Sequence, residues 1–342
     1  MWKYIQYASQ GRGHVKDQIP CQDKTYCICE GNTTVIALAD GAGSARLSHE
    51  GAETITRFIC EDLLAHYEDY FSNNDGVQVK WEIGEKITQT ISAKTAELGC
   101  LAHDLASTLL AVAIRSDQYI LLHVGDGVIG YYKNGELKVA SEPENGEFAN
   151  TTVFTTSRDF WKSMRLLKGS LGPIEGFVLM SDGTEASMYR KQSRQLAPGI
   201  GRLMDMMGYI PTWKVEEQVA HSFRSVIREA TIDDCSIVVM AKCPESQEGY
   251  ASLRAEERKE LLRIEAFRNG SGRRLKQTEQ LLTVLMIPQT LPSVSAKMHL
   301  KPKYLKKRLD RLQKIGVIAY TEGKYWTILN MGQDSVCGVR KG

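Results

Sequence analysis

The sequence predicts an α+β fold, a sandwich of antiparallel β-sheets flanked by helices. Three observations predict it. Nine short apolar runs, many of them rich in β-branched or aromatic residues, recur through residues 1–242, as strands do. Too few helical stretches lie between them for a regular strand–helix alternation. The helical stretches that do occur are grouped, which suits helices covering a sheet rather than crossing within one.

The strand runs are WKYIQYA from Trp2, TYCICEG from Thr25, TTVIALA from Thr33, STLLAVAI from Ser107, QYILLHVG from Gln118, VIGYYKNG from Val128, TTVFTT from Thr151, GFVLMS from Gly176 and CSIVVMA from Cys235. Helical spacing begins after Ser48, where Ala52, Ile55, Ile59, Leu63 and Tyr67 fall on one face, and returns at Trp81, Ile87 and Ile91. A third helix fits VEEQVAHSFRSVIREAT, with Val215, Val219, Phe223 and Val226 facing inward.

From 243 to 276 the chain is strongly charged and reads as an exposed helical linker ending at Asn269-Gly270, with a short Ser/Gly stretch after it. Residues 277–342 follow another pattern. A helix carrying Leu281, Leu282 and Leu285 precedes a Pro-marked turn and a short helix. PKYLKKRLDRLQKIG then places Leu305, Leu309 and Leu312 on one face, and VIAYTEGKYWTIL reads as a hairpin turning at Glu322-Gly323. Helices followed by a hairpin resemble a winged helix-turn-helix domain. The expected division is therefore 1–242, 243–276 and 277–342.

Composition limits the function. The chain has 342 residues, 42% hydrophobic and 25% charged, as in an ordinary soluble domain or pair of domains. No stretch approaches the apolar length of a membrane span, and the first residues lack a signal-like apolar core, so the expected location is the cytoplasm, away from membranes. The eight cysteines show neither a CxxC pair nor zinc spacing, and most sit in apolar runs as reduced core residues. The net charge of +2 conceals a split: residues 271–342 hold 14 Lys+Arg against 4 Asp+Glu, a net of +10, leaving −8 for the first 270. Such asymmetry suggests two domains with different partners.

Three apolar runs meet aspartates at their ends: Asp40 before Gly41, Asp182 before Gly183, and Asp233-Asp234 before the last run of the first domain. One Asp-Gly after a strand reads as a plain turn. Several carboxylates fixed at strand ends suit a hard divalent cation, which takes oxygen ligands.

The motifs Cys-Gln-Asp at 21–23, ALADGAGSA at 37–45, AST at 106–108, HVGDG at 123–127, LMSDG at 179–183 and DDCSIVV at 233–239 occur together in the order of the type 2C (PPM) metal-dependent Ser/Thr protein phosphatases. Over residues 7–241 the sequence resembles that family, most of all a bacterial branch. The resemblance implies a β-sandwich with two Mn²⁺ or Mg²⁺ ions at one end of the sheets. It implies Asp40 as the bridging ligand, the Gly41 carbonyl beside it, Asp182 and Asp234 on one ion, and Asp23 or Gln22 beside the other. Asp126 matches a position tied to a third, weaker ion and equally suits a structural turn. Asp233 reads as the hydrogen-bonding or capping member of its pair. His49, His66 and His221 read as surface or core residues on helices, and His123 as a turn residue.

The activity so implied is hydrolysis of phosphoserine and phosphothreonine in proteins by a metal-activated water, opposing a Ser/Thr kinase. Asp40, Asp182 and Asp234 would carry it. The competing expectation is a pseudophosphatase, a binding module or regulator whose basic C-terminal domain contacts DNA or protein. Two positions depart from many eukaryotic members: Ala42 stands where a proton-donating His follows the Asp-Gly, and Gln18 where an Arg grips phosphate. Arg12, His14 or Lys16 is the expected replacement for that grip. In the C-terminal helix, Lys301, Lys303, Lys306, Lys307, Arg308 and Arg311 would meet nucleic-acid phosphates, or serve only as a solvated face.

Overall fold

The computed structural model describes residues 2–143, 152–208, 212–242, 250, 253–265, 270–315, 317–321, 323–327 and 329. The chain divides into two compact units, one of residues 2–205 and 212–242 and one that takes in 206–211 and 243–342.

The first unit is built on two antiparallel five-stranded sheets. One has the order β1 (Trp2–Ser9), β12 (Cys235–Lys242), β9 (Ile174–Met180), β6 (Val128–Lys133), β7 (Glu136–Ser141); the other runs β2 (Lys24–Glu30), β3 (Thr33–Ala39), β4 (Leu109–Arg115), β5 (Gln118–Val124), β8 (Arg165–Ser170). Period two explains the near-continuous apolar run of β3, which is buried on both faces. Ile36 and Leu38 point into the core between the sheets, with Leu110, Val112 and Leu121 from their own sheet and Phe177, Leu179, Val238 and Met240 from the other. Val35 and Ala37 point the other way, beneath α2 (Ser48–Ala65) and α4 (Gly76–Leu98). There Ile55, Ile59, Leu63, Ile83 and Ile87 close a second core. Each such buried Leu or Ile contributes roughly 1.5–3 kcal/mol.

One helix opens with a side-chain cap visible in sequence. The Asp75 carboxylate caps α4 by accepting from the Val77 and Gln78 N–H groups, both at 3.0 Å. A short helix α3 (Tyr67–Ser72) lies between α2 and α4, and helix α1 (Arg12–Asp17) ends at Gln18 in the left-handed region, φ 56°.

The structure corrects several expectations. TTVFTT forms no strand over its described residues: Thr155 instead binds the Ser107 carbonyl through both its N–H, at 2.8 Å, and its hydroxyl, at 3.0 Å. The strands β7 and β8 were not signalled, because both are sheet edges with mixed polarity. Trp81 is half-exposed while Ile87 and Ile91 are buried. In the third helix, α8 (Thr212–Ser222) continues as a π-helical turn over Phe223–Ile227. A wider turn favours a spacing of four, so Phe223 is followed inward by Ile227 while Val226 is exposed.

The second unit begins its described core with α9 (Ala255–Leu261) and α10 (Ser271–Val284). Gly270, where the sequence suggested a helix end, instead precedes α10 in the left-handed conformation, φ 86°; Asn269 lies outside the described residues. Then come β13 (Gln289–Thr290), α11 (Leu291–Met298), α12 (Pro302–Lys314), β14 (Ile318–Thr321) and β15 (Lys324–Thr327), with sheet order β13-β15-β14. Leu281, Leu282, Leu285, Leu305, Leu309 and Leu312 are all buried. The strands β14 and β15 pair antiparallel as expected of the hairpin, and Glu322 lies outside the described residues. Among the described residues, no helix is long and apolar enough to cross a membrane.

Candidate active site

The acids at the strand ends come together because the two sheets present their ends at one edge of the sandwich. Asp40 follows β3, in one sheet; Asp182 follows β9 and Asp233-Asp234 precede β12, in the other. Asp40 is clamped through its backbone: its N–H donates to Thr108 Oγ1 at 2.9 Å and its carbonyl accepts from the Thr108 N–H at 2.8 Å. Gly41 bridges Ser107, so the Ala106-Ser107-Thr108 motif acts as the mount for the Asp40 loop. On the other sheet, Gly183 packs so closely on the Asp234 carbonyl that any Cβ there would collide with it, which explains a Gly after Asp182.

Burial and mutual charge govern these carboxyls. Burial, with the negative charges of Asp23 and Asp182 adding, holds Asp40 well above the usual carboxylate range. Burial pushes Asp23 up to about 7, against the hydroxyls of Ser236 and Ser181 nearby. Asp182 is raised by burial and by the charges of Asp126 and Asp233. Both oxygens of Asp23 and one of Asp182 are buried without a protein hydrogen bond, and so is Oε1 of Gln22. Buried carboxylates left unbonded are costly, and an all-oxygen donor set of this kind fits a hard divalent cation. Among the described residues, no three acidic, His or Cys side chains yet converge in ligand geometry. The acids thus share one electrostatic neighbourhood without forming a ready-made coordination shell.

The two adjacent aspartates have distinct surroundings. Asp234 is buried and has both oxygens engaged: Oδ1 accepts from the Gly11 N–H at 2.6 Å and Oδ2 from the Gln22 N–H at 2.5 Å. It ties α1 and the Cys-Gln-Asp segment to the base of β12. Asp233 is exposed, and it is Asp233 whose charge bears on Asp182. Asp126 is half-buried and accepts from the Thr152 hydroxyl at 2.6 Å.

Of the basic residues expected to grip phosphate, Arg12 is turned to the segment before β12, donating to the Thr231 carbonyl at 3.2 Å and the Glu229 carbonyl at 3.1 Å. The His14 Nδ1 lies 2.9 Å from Asp234 Oδ1 but outside hydrogen-bonding geometry. Lys16 is exposed, as is Gln18. Ala42 is packed with Ala45, Ala106 and Phe154, so its neighbourhood is apolar. His49 and His66 lie on α2 and at its end, beside Glu50 and Asp62. His123 is buried, with Nε2 2.9 Å from the Gly125 carbonyl and Nδ1 2.6 Å from the Ser141 hydroxyl. Burial, with the charge of Arg165, lowers it to about 3, so the ring is neutral and fixes the turn leading to Asp126.

Two neighbours of the acids had no sequence signal of their own. Glu185 is buried, three residues after Asp182 on α6 (Asp182–Met188), and Lys191 in the loop between β10 (Tyr189–Arg190) and β11 (Gln195–Leu196) meets it at 2.8 Å. A carboxylate one helical turn beyond the Asp-Gly pair was the only available hint.

The protein phosphatase 2C family matches residues 10–220. Serine/threonine-protein phosphatase 3 of Escherichia coli (strain K12) is 24% identical over 168 residues, a match covering 46% of this chain and 64% of that protein. The chain therefore spans under two thirds of that curated relative. Among solved structures, the Staphylococcus aureus serine/threonine phosphatase Stp1 is 15% identical with a TM-score of 0.48, over 70% of this chain and 95% of that chain. The Mycobacterium tuberculosis phosphatase PstP/Ppp is 18% identical with a TM-score of 0.48, over 71% and 99%. The catalytic domain of PstP in complex with two manganese ions gives 18% and 0.46, over 71% and 99%. With the family match extending over more than half its length, the chain belongs to the protein phosphatase 2C family.

Proposed function

We propose that this protein hydrolyses phosphoserine and phosphothreonine in protein substrates, by water activated at a Mn²⁺ or Mg²⁺ centre. The observation that carries the proposal is the set of buried carboxyl oxygens without protein partners on Asp23 and Asp182, beside the raised carboxyl of Asp40. Asp40, Asp182, Asp23 and the Gly41 carbonyl would hold two ions, and Asp126 a third. Asp233, rather than Asp234, whose two oxygens each already hold a backbone N–H, is the better-placed ligand beside Asp182, and Asp234 would keep the loops in place. Such ions supply a water deprotonated near neutral pH and neutralise phosphoryl oxygens. The chain contributes rigid mounts for Asp40 through Thr108 and for Asp234 through two backbone N–H groups, which lowers the cost of organising the site.

The natural counterpart of this activity is a Ser/Thr kinase acting on the same phosphoproteins. Cys21, Cys27, Cys29, Cys60, Cys100 and Cys235 are free thiols, in keeping with a cytoplasmic setting. For residues 271–327 the order helix, strand, helix, helix, strand, strand and the sheet order β13-β15-β14 support a winged-helix domain. On α12, Lys306 is engaged by the Tyr325 hydroxyl at 2.7 Å and by Asp310 at 3.0 Å, whereas Lys301, Lys303 and Lys307 stand exposed for an acidic partner.

The test is hydrolysis of p-nitrophenyl phosphate and of a phosphothreonine peptide with Mn²⁺, with EDTA, and in Asp40→Asn. Turnover that requires the metal and is lost in Asp40→Asn is expected. Absence of metal-dependent turnover would leave the binding-module reading, in which the basic helix contacts DNA or protein.

A further inference from the structure

With Gln18 where the resemblance implies a phosphate-gripping Arg, the acid site needs another cation for its substrate; on α1, Lys16 is exposed and the other two basic residues are turned to other partners. Arg12 is spent on the Glu229 and Thr231 carbonyls, and His14 stands against Asp234. We propose that Lys191, held in place by the buried Glu185 carboxylate, is the residue that takes the phosphoryl oxygens of the substrate at this site. The inference rests on the phosphatase reading and adds to it the residue that positions phosphate.

Glu185 draws the ammonium end of a largely exposed Lys191 to a buried carboxylate. Its side chain is only 3% exposed, its Oε1 is 2.8 Å from Lys191 Nζ, and its Oε2 is buried with no hydrogen-bond partner. A carboxylate so placed needs a cation. Glu185 follows Asp182 by three residues on α6, which puts both carboxylates on one side of the helix's first turn, and the charges of Asp182 and Asp126 act on both Glu185 and Lys191. The Lys191 side chain as a whole is 71% exposed, and its ammonium contacts the buried carboxylate, so an incoming phosphoryl group can still reach it. An ammonium has three donors; Glu185 occupies one, leaving two for phosphoryl oxygens. Lysine binds phosphate as a point charge without the planar fork of Arg. A mount for it is therefore needed, and Glu185, rigid in α6, is that mount.

The experiment measures binding of inorganic phosphate to the full Mn²⁺-treated chain by titration calorimetry, together with Mn²⁺ affinity and, separately, KM and kcat for a phosphothreonine peptide. Loss of one charge-assisted hydrogen bond corresponds to roughly tenfold in affinity. Lys191→Met is expected to weaken phosphate about tenfold and raise KM more than it lowers kcat, with Mn²⁺ affinity retained. Lys191→Arg should restore most of the phosphate affinity, and Glu185→Gln should weaken it by a smaller factor. Phosphate affinity unchanged in Lys191→Met overturns the proposal. So does a matching loss of Mn²⁺ affinity, which would make the pair a prop for the acids, or an absence of phosphate binding in the wild type. If the wild type binds phosphate through Lys191 yet turns over no substrate, the phosphatase reading fails and the role of Lys191 stands. If it turns over substrate while phosphate binding is indifferent to Lys191, the role of Lys191 fails and the phosphatase reading stands.

Discussion

Thr108 holds Asp40 from both sides of its backbone, accepting from the Asp40 N–H through its hydroxyl at 2.9 Å and donating its own N–H to the Asp40 carbonyl at 2.8 Å. The first bond needs the hydroxyl and the second does not. Thr108→Val should keep the fold but leave a buried N–H unsatisfied, costing about 1–3 kcal/mol. Loosening the mount of Asp40, the proposed bridging ligand, should also reduce kcat about tenfold, with Thr108→Ser near wild type; steady-state kinetics and thermal melts of the three proteins check this.

The neighbouring acids of β12 should separate stability from metal binding. Asp234→Asn removes the charge that two backbone N–H groups share, and should destabilise by about 2 kcal/mol. Asp233→Asn, at an exposed position, should melt like the wild type but bind Mn²⁺ at least about tenfold more weakly. Equal melting of the two variants, or equal Mn²⁺ affinities, would contradict the division of roles.

His123 gives an acid-side signature. Its folded value of about 3 lies below the unfolded value of about 6.5, so between them the unfolded chain binds the extra proton. Its contribution is fully present above pH about 6.5 and is lost as the pH falls toward 3. From pH 6.5 to 5 the loss should be about 2 kcal/mol. Urea unfolding at the two pH values should show that difference in the wild type and a flatter response in His123→Gln, which keeps a donor and an acceptor for Gly125 and Ser141.

Asp23 should show the opposite sign. Its folded value of about 7 lies above the unfolded one, so the folded chain is relatively favoured at low pH and loses that advantage as pH rises from about 4 to 7. At pH 8 in EDTA, Asp23→Asn should therefore be more stable than the wild type, by on the order of 2–4 kcal/mol, while binding Mn²⁺ more weakly. Differential scanning calorimetry with and without Mn²⁺ reads both effects.

The strands buried on both faces were legible because their runs are apolar throughout: β3, β4, β9 and β12 all stand where the sequence suggests. The edges β7 and β8 were not, since a strand with one open side need not be apolar, and TTVFTT misled because β-branched residues also serve in hydroxyl-bonded loops. Val226 faced outward because a π-helical turn breaks the 3.6-residue period. Asp40 and Asp182 could be named from motif order. The contrast between Asp233 and Asp234 could not, as it depends on Gly11 and Gln22, more than 200 residues earlier in the chain. The Glu185–Lys191 pair likewise depends on how α6 and the β10–β11 loop fold over the acids.

The carboxyls at the mouth of the sandwich come from both sheets, Asp40 from one and Asp182 from the other. Burial beside each other raises both carboxyls, and a cation shared between them would hold the layers together as a staple. Such a protein would sense its ionic surroundings through its own rigidity. Divalent ions would tighten that edge of the sandwich, and their depletion would let it breathe before the core, sealed by Leu38, Phe177 and Val238, gave way.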